Sequence, residues 1–201
     1  MTTYGLRIAL AALLSGGVAL AADQLVPAKI VLVKDKPGEP TKRKIVFKVK
    51  ENGSAATVAG DPTLAGATLH IALTPGGDQC FSMPASGWSP ISTLGFKYKD
   101  AALANGPVKV ASIKKTPSGV FLVKTILKGS GPTSIDVVPG NPTLTYATNL
   151  ALGGGDSYCA GTGTATPKPN DEKTFKVVND TAPASCGVAA CASPSGAFVE
   201  G

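Results

Sequence analysis

At 201 residues, with 43% hydrophobic but only 5% aromatic positions, the chain can bury one well-formed core or two very small ones. Its formal net charge of +6 comes from 19 basic residues against 13 acidic ones, spread along the sequence. No basic cluster is interleaved with aromatics, so nucleic-acid recognition is not expected.

The first element in chain order is a leader. Residues 1–21 carry one positive charge, Arg7, then an apolar run from Ile8 to Leu20, and end in the small-residue sequence Ala19-Leu20-Ala21. That is the layout of a secretory signal peptide cut after Ala21. The run is shorter than the ~20 apolar residues a spanning helix needs. No cysteine follows the small residues to take a lipid, and no apolar tail closes the sequence. The expected product is a secreted or periplasmic protein that inserts in no membrane.

Beyond the leader, a unit of roughly 80 residues occurs twice. Gly60-Asp61-Pro62-Thr63-Leu64-Ala65-Gly66-Ala67-Thr68 returns as Gly140-Asn141-Pro142-Thr143-Leu144-Thr145-Tyr146-Ala147-Thr148. Upstream, Lys29, Lys34, Lys44 and Lys48 meet Lys109, Lys114, Lys124 and Lys128. Downstream the register slips slightly, and Gly76, Gly77, Asp78 and Cys80 fall on Gly154, Gly155, Asp156 and Cys159. The expected divisions are a first repeat at 22–106, a second at 107–186 and a C-terminal extension at 187–201.

Both repeats alternate with a period of two. In Lys44-Ile45-Val46-Phe47-Lys48-Val49-Lys50 the apolar Ile45, Phe47 and Val49 point one way and the lysines the other, which predicts a half-buried strand. Further strands are predicted over 29–33, 69–73, 96–98, 108–112, 120–127, 135–138, 144–152 and 175–177. Turn signals such as Pro75-Gly76-Gly77 and Pro139-Gly140-Asn141-Pro142 separate them. Only 101–104 hints at a helical turn. About ten short strands with no helix to cover them must bury their apolar faces on one another, so the expected fold is an all-β two-sheet sandwich built from two duplicated halves. The lysines, Lys42, Lys44, Lys48, Lys50, Lys97, Lys99, Lys114 and Lys115 among them, then decorate outer strand faces. There they discourage edge-to-edge aggregation and offer diffuse charge to an acidic polymer or anionic surface.

Four cysteines in an exported chain predict two disulfides. In one arrangement Cys159 pairs with Cys186 around the Phe175 strand, a closure contributing roughly 3 kcal/mol in the chain-entropy model, and Cys191 returns to Cys80. In the other, Cys186 pairs with Cys191 and Cys80 with Cys159. The first is favoured. No Cys-x-x-Cys occurs and His70 is the sole histidine, so neither a metal site nor a cofactor is expected.

Catalytic chemistry finds little support. Gly155-Asp156-Ser157-Tyr158 has the look of a serine-esterase nucleophile block, but the base such a serine needs would have to be His70, far upstream. The carboxylates are scattered rather than paired, and no Asp-x-Asp-x-Asp ladder supports calcium binding. Trp88, Tyr98 and Tyr158 are the candidate ligand contacts, with a core position the competing expectation for Trp88.

Asp61-Pro62-Thr63-Leu64-Ala65-Gly66-Ala67-Thr68-Leu69, Pro84-Ala85-Ser86-Gly87-Trp88, Lys97-Tyr98-Lys99-Asp100 and Tyr158-Cys159 followed by Ala182-Pro183-Ala184-Ser185-Cys186 together resemble an uncharacterised β-rich module of secreted bacterial proteins. The resemblance spans most of the chain beyond the leader and brings no catalytic residue with it. It implies an exported β-domain and supports the Cys159 to Cys186 pairing, while the extension from Gly187 departs from the pattern. The functional expectation is a secreted, non-catalytic protein with a binding or structural role at the cell exterior. Its partner would be a cell-surface polymer or a second copy. The alternatives are a fibre or surface-layer subunit that exchanges residues 22–33 as a strand, and a hydrolase.

Overall fold

The computed structural model describes residues 21–192. Residues 1–20 of the leader expected at 1–21, and the end of the extension at 193–201, lie outside the described residues. In chain order the strands are β1 (Asp23–Leu25), β2 (Ala28–Lys34), β3 (Lys44–Glu51), β4 (Ala67–Thr74), β5 (Gly77–Met83), β6 (Trp88–Pro90) and β7 (Gly95–Lys99). They continue with β8 (Val108–Lys115), β9 (Phe121–Lys128), β10 (Thr145–Leu152), β11 (Ser157–Gly161), β12 (Asn170–Asp171) and β13 (Thr174–Val178). One helical turn, α1 (Pro62–Ala65), precedes β4. Its start is set by Asp61, whose carboxylate accepts the Thr63 amide at 2.9 Å.

The strands form two sheets. The smaller runs β1-β11-β10-β4-β5 and the larger β12-β13-β2-β3-β9-β8-β7-β6. Every neighbour pair is antiparallel except β1 with β11. Both sheets mix strands from either side of residue 107. The middle of the smaller sheet is the pair β4 and β10, and that of the larger is β3 and β9, with Lys44 opposite Lys128 and Lys48 opposite Lys124. Residues 22–33 are used within the molecule, β1 on the edge of one sheet and β2 between β13 and β3 in the other.

Period-two alternation accounts for the core. Ile45, Phe47 and Val49 of β3 and Val123 and Leu127 of β9 face inward, meeting Leu69, Ile71, Leu150 and Tyr158 from the smaller sheet. Aromatic pairs span the two layers, Phe121 with Tyr158 at 5.3 Å between ring centroids and Tyr146 with Phe175 at 5.8 Å. Such a pair adds about 1 kcal/mol beyond the apolar area it buries.

The structure corrects the sequence reading in three places. The strand expected at 135–138 is absent. That segment instead follows the edge of β5 through the Gln79 side chain, whose Nε2 donates to the Ser134 carbonyl and whose Oε1 accepts the Asp136 amide. Ile135 and Val137 are buried nonetheless, which is the source of the apolar pattern. The hint of helix at 101–104 is a non-helical turn held by Asp100, which accepts the Ala104 and Asn105 amides. Finally, the strands number more than ten because β1, β6 and β12 are two or three residues long, too short to show alternation.

One inward position is mismatched. Thr125 is fully buried on β9, and its Oγ1 has no hydrogen-bond partner in the protein. Replacing the hydroxyl by a methyl removes an uncompensated polar group without changing the shape. Thr125→Val should therefore stabilise the fold by about 1 kcal/mol, read as a higher denaturant midpoint at unchanged m-value.

Candidate functional site

The sequence-derived ligand contacts do not form a surface. Trp88, Tyr98 and Tyr158 are 6%, 1% and 0% exposed. Trp88 packs on Tyr98 with centroids 5.5 Å apart and donates its Nε1–H to the Met83 carbonyl. The Tyr158 hydroxyl accepts the Ala59 amide at 3.3 Å, and burial pushes its pKa up. Large apolar side chains at inward strand positions go to the core, so these three residues are corrected from ligand contacts to packing residues.

The two cysteine pairs are Cys159 with Cys186 and Cys80 with Cys191, the favoured arrangement. Strand register sets Cys159, Asn149, His70 and Cys80 side by side across β11, β10, β4 and β5, all on the outer face of the smaller sheet. Residues 186–191 cross this row as a strap bonded at both ends. Its middle is held by Asn149 Nδ2, which donates to the Val188 carbonyl at 3.1 Å, and by His70 Nδ1, 2.9 Å from the Ala189 carbonyl. His70 also meets Asp78 at 3.0 Å through Nε2. Both sulfur pairs are spent in disulfides, so the groupings of His70 with Cys80 and Cys191, and of Asp23 with Cys159 and Cys186, offer a metal no thiolate. Ser157 Oγ donates to Asp23 and makes no bond to His70. The serine and histidine the sequence suggested for a hydrolase are thus each engaged in holding chain segments down.

A cleft of about 740 Å³ opens beside the strap, lined by residues 72–78, 145–147 and 183–188 with their neighbours. Among the described residues, Asp78 and Tyr146 are the titratable ones in its wall. The Tyr146 hydroxyl donates to Asp180 at 2.9 Å, and burial together with that carboxylate raises the tyrosine pKa. Burial pushes the Asp180 pKa up, but bonds from the Ala165, Gly163 and Thr181 amides and from Tyr146 outweigh it and leave the group below its ordinary value of 3.8. A lowered folded value means that the stability Asp180 contributes is complete above pH 3.8 and is lost as pH falls through the lowered one.

The larger sheet presents a different outer face. Lys44, Lys48 and Lys50 of β3 and Lys124 and Lys128 of β9 occupy its centre. Lys34 and Lys176 lie on one side and Lys97, Lys99 and Lys114 on the other, all at positions whose in-line neighbours point inward. Lys44 stands directly opposite both Lys34 and Lys128, and Lys48 opposite Lys124. Apolar Leu32, Val46, Ile126 and Val110 form a stripe between these rows. Outward positions from β13 across to β7 carry no carboxylate; Asp171, on the edge strand β12, caps its own turn. The ion pairs among the described residues join Lys36 and Lys42 to Glu39, Arg43 to Asp35 and His70 to Asp78, and none involves a lysine of this face.

Sequence reasoning found these lysines and their alternation. It missed their convergence, which needs the strand order. The two disulfides are consistent with an extracellular or periplasmic location, and no helix among the described residues is long and apolar enough to cross a membrane. Comparison with protein-family models, curated proteins and solved structures finds no match.

Two outcomes are expected. Cys80→Ser with Cys191→Ser opens the disulfide of sequence separation 111 and should cost roughly 4–5 kcal/mol in the chain-entropy model, measured by thermal melting against the parent. Asp180→Asn should flatten the loss of stability below pH 4, because its side chain no longer titrates; denaturant melts at pH 3 and pH 6 read the difference.

Proposed function

We propose that this chain is an exported, non-catalytic β-sandwich that adheres to an anionic polymer at or outside the cell surface. The carrying observation is the lysine face. Like charges directly opposite across strands destabilise a sheet by some tenths of a kcal/mol per pair, and here Lys34, Lys44 and Lys128 and the pair Lys48 and Lys124 are arranged that way with no carboxylate among the described residues to relieve them. A polyanion laid across the face supplies the missing charge, and diffuse cationic surfaces bind such polymers without a shaped pocket.

The export reading is supported by the leader-like residues 1–21 and by four cysteines engaged in two disulfides. Duplication of an ancestral unit of roughly 80 residues is part of the same reading. What supports it is the strand order. Matching β2, β3, β4, β5 and β7 to β8, β9, β10, β11 and β13 turns the central order of each sheet into its own reverse. Under that match the pair Lys44 with Lys128 becomes Lys124 with Lys48. The charge concentration at the seam is then a product of the duplication, because each copy brings the same two lysines to a shared two-fold axis.

The test is retention on two immobilised polymers, polyphosphate and polygalacturonate, at low and high salt. Lys48→Glu with Lys124→Glu is expected to weaken binding at least tenfold and to flatten the salt dependence, while leaving stability equal or slightly higher because repulsion is relieved. Lys36→Glu, away from the face, should change little. Equal loss in both variants would show that only net charge matters and would remove the face as a site.

A further inference from the structure

We infer that Asp156 is a built receptor for the α-ammonium group created at Ala22 when the leader is removed. The inference rests on the export reading above, with the cut between Ala21 and Ala22. Water adds across that peptide bond in the cut, made by an export peptidase. The new carboxylate departs with residue 21, and the new amine, protonated at neutral pH, remains on Ala22.

The geometry is already in place. The Ala22 backbone nitrogen lies 3.0 Å from Asp156 Oδ1, and Asp156 is 8% exposed. The Ala22 carbonyl accepts the Ser157 amide at 3.0 Å, and β1 then pairs in parallel with β11, which fixes the approach of the terminus. Gln24 Nε2 donates to the second carboxylate oxygen, Oδ2. The main chain of Asp156 is held in turn: its amide donates to the Ala59 carbonyl, and its carbonyl accepts the Leu152 amide. That fit depends on glycine. At Gly60, with φ of +97°, a Cβ would come within 2.8 Å of the Gly155 Cα, so side chains at this crossing would push Asp156 out of place.

The site lacks a cation of its own. No lysine, arginine or histidine among the described residues pairs with Asp156. The titratable group beside it is Tyr158, whose pKa burial raises; the Asp23 carboxylate accepts from Ser157 Oγ and lies instead with Cys159 and Cys186. A buried carboxylate is costly without a positive partner. In the uncut chain Ala22 offers one neutral amide donor. After cleavage it offers a charge and three donors, and charge-assisted hydrogen bonds are about twice as strong as neutral ones. The comparison within the molecule points the same way. Asp78, at the matching position of the first repeat, has a side chain 69% exposed and meets His70 instead, and no N-terminal strand covers it.

The experiment uses the full chain expressed with its own leader, and the processed product purified from outside the cytoplasm. Intact mass first reports where it begins. Transamination selective for the N-terminal α-amine then converts Ala22 to its neutral keto form without touching lysines, and melting temperatures are compared for the parent and for Asp156→Asn. The ammonium form is the one the carboxylate stabilises, so its contribution is present below the ordinary α-amine value of ~8 and is lost as pH rises through the higher folded value. Transamination should lower Tm by roughly 3–8 °C at pH 6.5, by little near pH 11, and by little in Asp156→Asn at either pH. A product beginning at another residue overturns the export reading as placed here and the inference with it. A product beginning at Ala22 whose Tm shift is independent of pH, or equal in Asp156→Asn, overturns the inference alone. Because the pH comparison is made on the parent, the result stands even if the variant folds poorly.

Discussion

Along the seams where β4 meets β10 and β3 meets β9, residues from opposite halves of the chain exchange backbone hydrogen bonds over eight consecutive positions. A strand with one apolar face needs a second sheet to cover it and neighbours on both sides to satisfy its backbone. Neither half has both by itself, since each holds only part of either sheet. The seams therefore make one core out of the two halves of the chain. They also make the contacts long-range, which places the molecule among topologies whose folding is limited by loop closure rather than by local structure.

Once both sheets are closed, their outer faces are free to diverge, and they have. The smaller sheet is sealed by residues 186–191, bonded at both ends through cysteines and held in the middle by Asn149 and His70. This strap lies across the β4 and β10 seam and ties β11 to the edge strand β5. Among the described residues the larger sheet has no such cover, and its lysines stand in rows with no acid paired to them. One outer face is thus invested in holding the fold together, while the other keeps a charge pattern that costs the fold stability.

Much of the fold was legible in the sequence because period-two alternation is a local signal. Ile45, Phe47 and Val49 declare their strand face without help from any neighbour, and the cysteines at 159 and 186 announce a pairing because they bracket one strand. Elsewhere the signal misled. Ile135 and Val137 are as apolar as strand residues and as deeply buried, yet the backbone of their neighbours Ser134 and Asp136 meets the Gln79 side chain rather than a ladder. Trp88 and Tyr158 looked available because sequence does not say which side of a short strand is inward. Asp156 entered the sequence reading beside Ser157, but its carboxylate is met by a segment more than a hundred residues away.

The sequence by itself determined the all-β class, the alternation of each main strand and the resources for two disulfides, because these depend on residues close together in the chain or on composition alone. Tertiary structure decided what stands beside what. Strand order brought lysines of distant segments into opposing pairs. Register lined up Cys159, Asn149, His70 and Cys80 under the strap, and the parallel edge strand carried Ala22 to Asp156. Those relations arise from hydrogen bonds between strands far apart in sequence, and no local pattern encodes which strand will be the neighbour.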